Sequence, residues 1–190
     1  MTRLEAAIRE RRVGVLCERL RRHIPPGRRL LDVGAGDGRL ATALARTTAP
    51  RALRALDLAA ARREDVEVEA YDGRRLPLED RSVDVAWVAS VLHHCDDLPG
   101  LLRELRRVTA ERLLVVEDRL ESAWDRLRVT GLHHVIEGAL DMPFSPRGFT
   151  SRRGWARLLA QAGFRVVATE DVAPPVPLFP ANLLIIAEPA

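Results

Sequence analysis

The segment LDVGAGDGRL, residues 31–40, constrains this chain more than any other. An apolar run over Arg28 to Val33 leads into three alternating glycines, Gly34, Gly36 and Gly38. An apolar helical pattern then resumes at Leu40, Ala43 and Leu44. Glycine tolerates backbone conformations that other residues resist, so the segment reads as strand, tight turn and helix. Gly34 permits the turn, Gly36 lets a ligand approach the backbone, and Gly38 lets the helix pack closely. A unit of this kind aims backbone N–H groups and a helix N-terminus at the carboxyl end of a sheet, where nucleotide ligands bind.

The rest of the chain repeats that order. Residues 3–23 carry Leu4, Ile8, Leu16 and Leu20 on one helical face, continued by Ile24, before Pro25-Pro26-Gly27 ends the helix. The pattern predicts strands at Ala52 to Asp57, Val66 to Ala70, Val83 to Ala89 and Arg112 to Val116. It predicts helices at Ala59 to Arg63 and at 97–109, with a turn at Thr109-Ala110-Glu111. Thr150 or Ser151 caps a helix running to Ala162, and Gly163 ends it. Phe164 to Glu170 and Leu183 to Ala187 are the last strands. The proline-rich link between them is too short for a crossover helix, so they must pair antiparallel at the sheet edge. The fold expected is α/β: a Rossmann-like three-layer sandwich with a seven-stranded, mostly parallel sheet and an antiparallel last strand pair. With 190 residues the chain is expected to be a single domain. Residues 1–27 form its N-terminal helix, and 119–149, looser in pattern and rich in Pro and Gly toward its end, form an insertion that covers the substrate.

Composition excludes several classes. No apolar run is long enough for a membrane span, and Met1 is followed by a charged amphipathic stretch, so a cytoplasmic location is expected. Cys17 and Cys95 form no CxxC pair or disulfide framework. All 30 basic residues are Arg, but they are interspersed with 27 acids for a net charge of only +3, which disfavours a nucleic-acid surface.

Two ligand classes use a glycine turn of this kind. The dinucleotide fingerprint is GxGxxG. Here the spacing is GxGxG, and Arg39 stands where the last glycine would be. Asp32, two residues before Gly34, would repel a pyrophosphate and attract an amine. The run Asp32-Val33-Gly34-Ala35-Gly36-Asp37-Gly38, followed by Asp57, Asp72 and LPLEDRSVDVAWVASVLHH at 76–94, resembles class I S-adenosylmethionine-dependent methyltransferases of the small-molecule, ubiquinone/menaquinone-type branch (methyltransferase type 11). The resemblance implies S-adenosylmethionine as cofactor and S-adenosylhomocysteine as product. It places Asp57 on the ribose hydroxyls, Asp72 on the adenine amine and Gly73 beside the ring. Asp32, Gly34, Ala35, Gly36, Leu58 and Ala89 complete the cofactor site.

Methyl transfer from a sulfonium needs alignment and exclusion of water. A base is needed only when the acceptor carries a proton of high pKa. Candidates are His93 and His94 after the fourth expected strand, and His133 and His134 in the insertion. No metal site is expected, since adjacent His residues seldom ligate one ion and no HxxxH occurs. Asp96 and Glu117-Asp118 nevertheless stand roughly where catechol-type relatives hold magnesium. Ala89-Ser90-Val91-Leu92 lacks the Pro-Pro-aromatic motif of base-amino methyltransferases. The acceptor expected is a small organic molecule. An RNA acceptor, suggested by Arg9, Arg11, Arg12, Arg19, Arg21 and Arg22, and a non-catalytic cofactor-binding partner protein remain the alternatives. Oligomeric state stays open.

Overall fold

The computed structural model describes residues 3–63, 66–129, 131, 150–174 and 180–190. In chain order the elements are α1 (Arg3–Leu20), β1 (Arg29–Val33), α2 (Arg39–Thr48), β2 (Ala52–Asp57), β3 (Ala61–Arg63), β4 (Val66–Ala70), β5 (Val83–Ala89), α3 (Leu98–Val108) and β6 (Thr109–Asp118). There follow α4, described over 123–129, then α5 (Arg152–Gln161), β7 (Phe164–Val172) and β8 (Asn182–Pro189).

One sheet runs in the order β3-β4-β2-β1-β5-β6-β8-β7. The β1·β2, β2·β4, β1·β5 and β5·β6 pairs are parallel, while β3·β4, β6·β8 and β7·β8 are antiparallel. From β1 the chain builds outward to β2 and β4 on one side, then returns to lay β5 and β6 on the other. The crevice between β1 and β5 is therefore the topological switch point, where open α/β sheets bind ligands.

Both faces of the sheet are covered, which explains why the central strands are nearly continuous in apolar residues. On one face α1 and α2 bury Leu16, Leu20, Ala41 and Leu44 against Leu30, Ala55 and Trp87. On the other, α3 and α5 bury Leu101, Leu102, Leu105, Trp155 and Leu159 against Leu31, Ala86, Val88 and Val115. Each fully buried Leu contributes roughly 1.5–3 kcal/mol of transfer free energy. Asp97 caps α3 by accepting from Gly100 N–H at 2.8 Å, and Ser151 caps α5 by accepting from Gly154 N–H at 3.3 Å.

Two local expectations are corrected. Ala59 to Arg63 is not helical. Ala61–Arg63 forms β3, paired antiparallel with Val66–Val68, which makes the sheet eight-stranded rather than seven-stranded. A five-residue segment cannot repay helix nucleation, whereas pairing with an adjacent edge satisfies its backbone. Nor is Thr109-Ala110-Glu111 a turn. Thr109 N–H still bonds Leu105 O, the residue turns extended, and β6 starts there with Thr109 fully buried opposite Val83. The β-branched Thr109 suits a strand start. The expected final antiparallel pair is present, and β8 also pairs antiparallel with β6. Most of the expected insertion, residues 130 and 132–149, lies outside the described residues, and His133 and His134 lie there with it.

Candidate functional site

The carboxyl ends of β1, β2, β4 and β5 frame one cavity of about 830 Å³. Its walls include Gly34 after β1, Asp57 and Leu58 after β2, Tyr71, Asp72, Gly73 and Arg74 after β4, and Ser90, Val91, His94, Cys95, Asp96 and Asp97 after β5. Of the expected site residues, Gly34, Asp57, Leu58, Asp72, Gly73 and His94 line it. Asp32, Ala35, Gly36 and Ala89 are not among its lining residues.

The glycine turn is tied to its neighbours by backbone. Gly34 N–H and Ala35 N–H both donate to Leu56 O, at 2.8 and 3.0 Å. Gly34 has φ +76°, and a Cβ placed there would overlap the Val91 side chain. The two sides of the switch point thus close on each other only because residue 34 has no side chain. Around Gly36 the space is open, with no heavy atom within 4 Å of where a Cβ would stand. A ligand can therefore come against this part of the backbone.

Asp57 closes the turn from β2. Its Oδ2 accepts Gly36 N–H at 2.7 Å and its Oδ1 accepts Leu58 N–H at 2.7 Å. Each carboxylate oxygen keeps acceptor capacity for a hydroxyl donor. Leu58 is 72 % exposed beside it, and a Cβ on Gly73 (φ +72°) would come within 2.8 Å of Leu58 Cδ2. The positive φ favours glycine at residue 73, and the uncovered Leu58 beside it leaves an apolar patch in the cavity wall. Asp72 is fixed by its own turn. Its Oδ1 accepts Arg75 N–H and Arg74 N–H, both at 2.9 Å, and these donors hold its carboxyl below the usual range.

Asp32 lies deeper, 2 % exposed, and its Oδ2 has no hydrogen-bond partner. Burial pushes its pKa up to about 8. Trp87 stands opposite Asp32 on β5. Its indole N–H favours the ionised form, but neither that nitrogen nor Asp32 Oδ2 completes a hydrogen bond. A buried carboxyl of this kind accommodates an added cation, since an opposite charge would restore its ionised form.

The loop after β5 is held from below by Glu117, at the end of β6 and fully buried. Glu117 Oε1 accepts Val91 N–H at 3.1 Å and Leu92 N–H at 2.8 Å, and Oε2 lies 2.6 Å from His93 Nδ1. His93 is 4 % exposed and faces this carboxylate rather than the cavity. Its ring lies against that of His94, with centroids 4.0 Å apart and planes at 47°. Only His94 of the pair reaches the cavity. Ser90, in the left-handed region at φ +57°, begins the same loop. Cys95 donates its S–H to Val91 O at 3.4 Å, and burial raises its thiol to about 11. Burial likewise raises Tyr71 to about 12. Both groups present neutral walls near neutral pH.

Among the described residues no three His, Cys, Asp or Glu side chains converge to hold a metal ion, and Glu117 is already committed to His93 and the loop. No described helix is long and apolar enough to cross a membrane. Three contributors escape a reading of the sequence: Glu117 as a loop anchor, Ser90 as a strained wall residue, and Arg12, which donates to Ser90 Oγ from α1. Arg12 stood in the sequence only as one of many arginines, and its partner is 78 residues away.

Residues 31–113 match a family model described as a methyltransferase domain. Over 117 residues the chain is 37 % identical to malonyl-[acyl-carrier protein] O-methyltransferase of Halorhodospira halophila, covering 56 % of this chain and 40 % of that protein. The chain spans less than half the length of the curated relatives it matches. An S-adenosylmethionine-dependent methyltransferase of Thermotoga maritima has the same fold, with TM-score 0.70 and 22 % identity over 98 % of this chain and 95 % of that one. So does the 1,6-didemethyltoxoflavin N1-methyltransferase of Burkholderia thailandensis, whose structure holds 1,6-didemethyltoxoflavin and S-adenosylhomocysteine. Its TM-score is 0.67, with 20 % identity over 98 % of this chain and 79 % of that one.

Proposed function

We propose that this chain, whose residues 31–113 match a methyltransferase-domain model, transfers the methyl group of S-adenosylmethionine to a small organic acceptor. The observation that carries this reading is the row of acids at the strand ends. Asp72 follows β4, Asp57 ends β2 and Asp32 lies under the β1 turn, beside an uncovered Leu58. The row suits an adenosine at the β4–β2 side and a cationic amino-acid end at the β1–β5 side. Asp57, Asp72, Asp96 and Asp97 outnumber Arg74 around the cavity, which opposes a pyrophosphate and favours a sulfonium.

When bound, S-adenosylmethionine supplies a methyl group already activated for in-line displacement. The chain contributes orientation and protection. Asp57 accepts ribose hydroxyls while staying anchored on Gly36 and Leu58. Leu58 and Gly73 hold the flat ring, and Asp72 accepts from its amine. Cys95 keeps its proton and its bond to Val91 O, so a strong nucleophile in the wall does not compete for the methyl group. His94 takes a proton from an acceptor that carries one, a role supported by its position in the cavity wall on the loop that Glu117 anchors.

The malonyl-carrier relative supports an acceptor presented as a small organic group. An RNA acceptor is disfavoured by the fate of the arginines at and just past the end of α1. Arg21 and Arg22 pair with Glu18, and Arg19 pairs with Glu170, so much of the apparent basic face is neutralised within the chain. A single domain over residues 1–190 and a cytoplasmic setting belong to the same reading.

Thermal unfolding with S-adenosylmethionine, S-adenosylhomocysteine and NAD tests it, because a ligand that binds only the native state raises the melting temperature. Both sulfur ligands should stabilise the wild type and lose that effect in Asp57→Ala. Stabilisation by NAD alone overturns the reading.

A further inference from the structure

Helix α1 is fastened across the cavity end of the sheet by two contacts. Arg12 donates to the hydroxyl of Ser90, a wall residue beside Gly34 and Val91. Arg39, the first residue of α2, reaches back to Glu10 at 3.3 Å and holds Asp37 of the glycine turn at 2.5 Å. The helix is therefore tied to both sides of the turn.

Arg12 differs from the arginines at and just past the end of α1. Arg19, Arg21 and Arg22 each face a carboxylate. Among the described residues Arg12 has no acidic partner, and its one hydrogen bond goes to a neutral hydroxyl. A guanidinium has five N–H donors in a planar fork, so most of its capacity is unspent. It is half-buried behind Ser90, a wall residue of the cavity, where a charge gains most from a matching ion.

Sheet order fixes which end of a ligand lies there. Asp72 follows β4 and Asp57 ends β2, and the order β4-β2-β1-β5 continues toward Ser90 and Arg12. An adenosine held by Asp72 and Asp57 leaves its 5′ substituent over β1 and β5. In the proposed donor that substituent carries an ammonium and a carboxylate. The acids of the cavity serve the first and oppose the second.

We propose that Arg12 binds the α-carboxylate of the donor as a two-pronged salt bridge, with Ser90 Oγ holding the guanidinium in place. The assignment rests on the cofactor reading above. It makes α1 part of the binding site and gives one of its arginines a role separate from nucleic acid.

Calorimetry with two probes tests it. S-adenosylhomocysteine carries the amino-acid end, and 5′-methylthioadenosine keeps the adenosine and the sulfur but lacks that end. A charged hydrogen-bonded contact of this kind is worth about 10- to 100-fold in affinity. Arg12→Gln should weaken S-adenosylhomocysteine by that factor and leave 5′-methylthioadenosine within about twofold. Arg12→Lys, which keeps the charge and loses the fork, should fall between wild type and Arg12→Gln and covers the case in which the Gln variant folds poorly. Equal loss of both probes in both variants would make Arg12 a packing residue and overturn the proposal, as would unchanged binding of S-adenosylhomocysteine. Wild-type protein that binds neither probe overturns the cofactor reading itself, an outcome visible before any variant is made.

Discussion

Asp57 Oδ2 accepts the N–H of Gly36 at 2.7 Å, so the end of β2 and the turn after β1 are one rigid unit before any ligand arrives. The same carboxylate is the proposed ribose acceptor. Asp57→Asn keeps the shape but sets an NH₂ donor where one of the two N–H groups now donates. The proposed cofactor should bind about 10- to 100-fold more weakly, from loss of charged hydrogen bonds, while the melting temperature falls by only a few degrees. Calorimetric titration of S-adenosylhomocysteine reads the first and a thermal scan the second. A large fall in melting temperature with unchanged affinity would make Asp57 a turn-stabilising residue only.

Asp32 predicts a proton. With its pKa raised to about 8 by burial, the carboxyl is mostly protonated at pH 7 in the free protein. A ligand ammonium beside it favours the ionised form, so binding of S-adenosylhomocysteine at pH 7 should release close to one proton and tighten as pH rises from 6 toward 8. Titrations in buffers of different ionisation enthalpy measure that release, and Asp32→Asn should abolish it. Stability has the opposite slope. The folded pKa exceeds the unfolded value, so the free protein loses stability as pH rises from about 4 through about 8. The melting temperature of Asp32→Asn should therefore gain on wild type over that range. Parallel melting curves across pH 5–8 would show that Asp32 does not titrate as described.

The strand–turn–helix core was legible because each element leaves a local mark: glycines at alternate positions, continuous apolar strands, and acids just past strand ends. Asp57 and Asp72 line the cavity for that reason. What escaped depends on partners distant in sequence. Ala61–Arg63 is a strand only because β4 lies beside it. Thr109–Glu111 joins β6 because it pairs with the start of β5. Two adjacent histidines look equivalent in sequence, yet Glu117, 24 residues from His93, draws that ring inward.

Gly34 faces two separable obstacles to substitution, a positive φ and the Val91 side chain. Gly34→Ala should destabilise by the left-handed backbone cost of about 1–2 kcal/mol plus the cost of pushing Val91 away. Adding Val91→Ala removes the overlap but leaves the backbone term. The double variant should therefore melt above Gly34→Ala and below Val91→Ala. Additive losses in the double variant would mean that residues 34 and 91 do not press on each other.

The Glu117–His93 pair separates loop positioning from proton transfer at His94. Glu117 accepts from the N–H groups of Val91 and Leu92 and faces His93 Nδ1, and neither Glu117 nor His93 lines the cavity. Glu117→Gln retains one oxygen but offers an NH₂ group in place of the other, so the loop carrying Val91 and His94 loses part of its anchor. A buried acceptor lost costs about 1–3 kcal/mol, which corresponds to roughly 5 °C in a chain of this size. Methyl transfer should slow without a change in the shape of its pH profile, because the base is unaltered. His94→Ala should instead flatten the acid limb of that profile for an acceptor that carries a proton, with little change in melting temperature. If Glu117→Gln shifts the limb and His94→Ala does not, the proton moves through the buried pair, and His93 rather than His94 is the base.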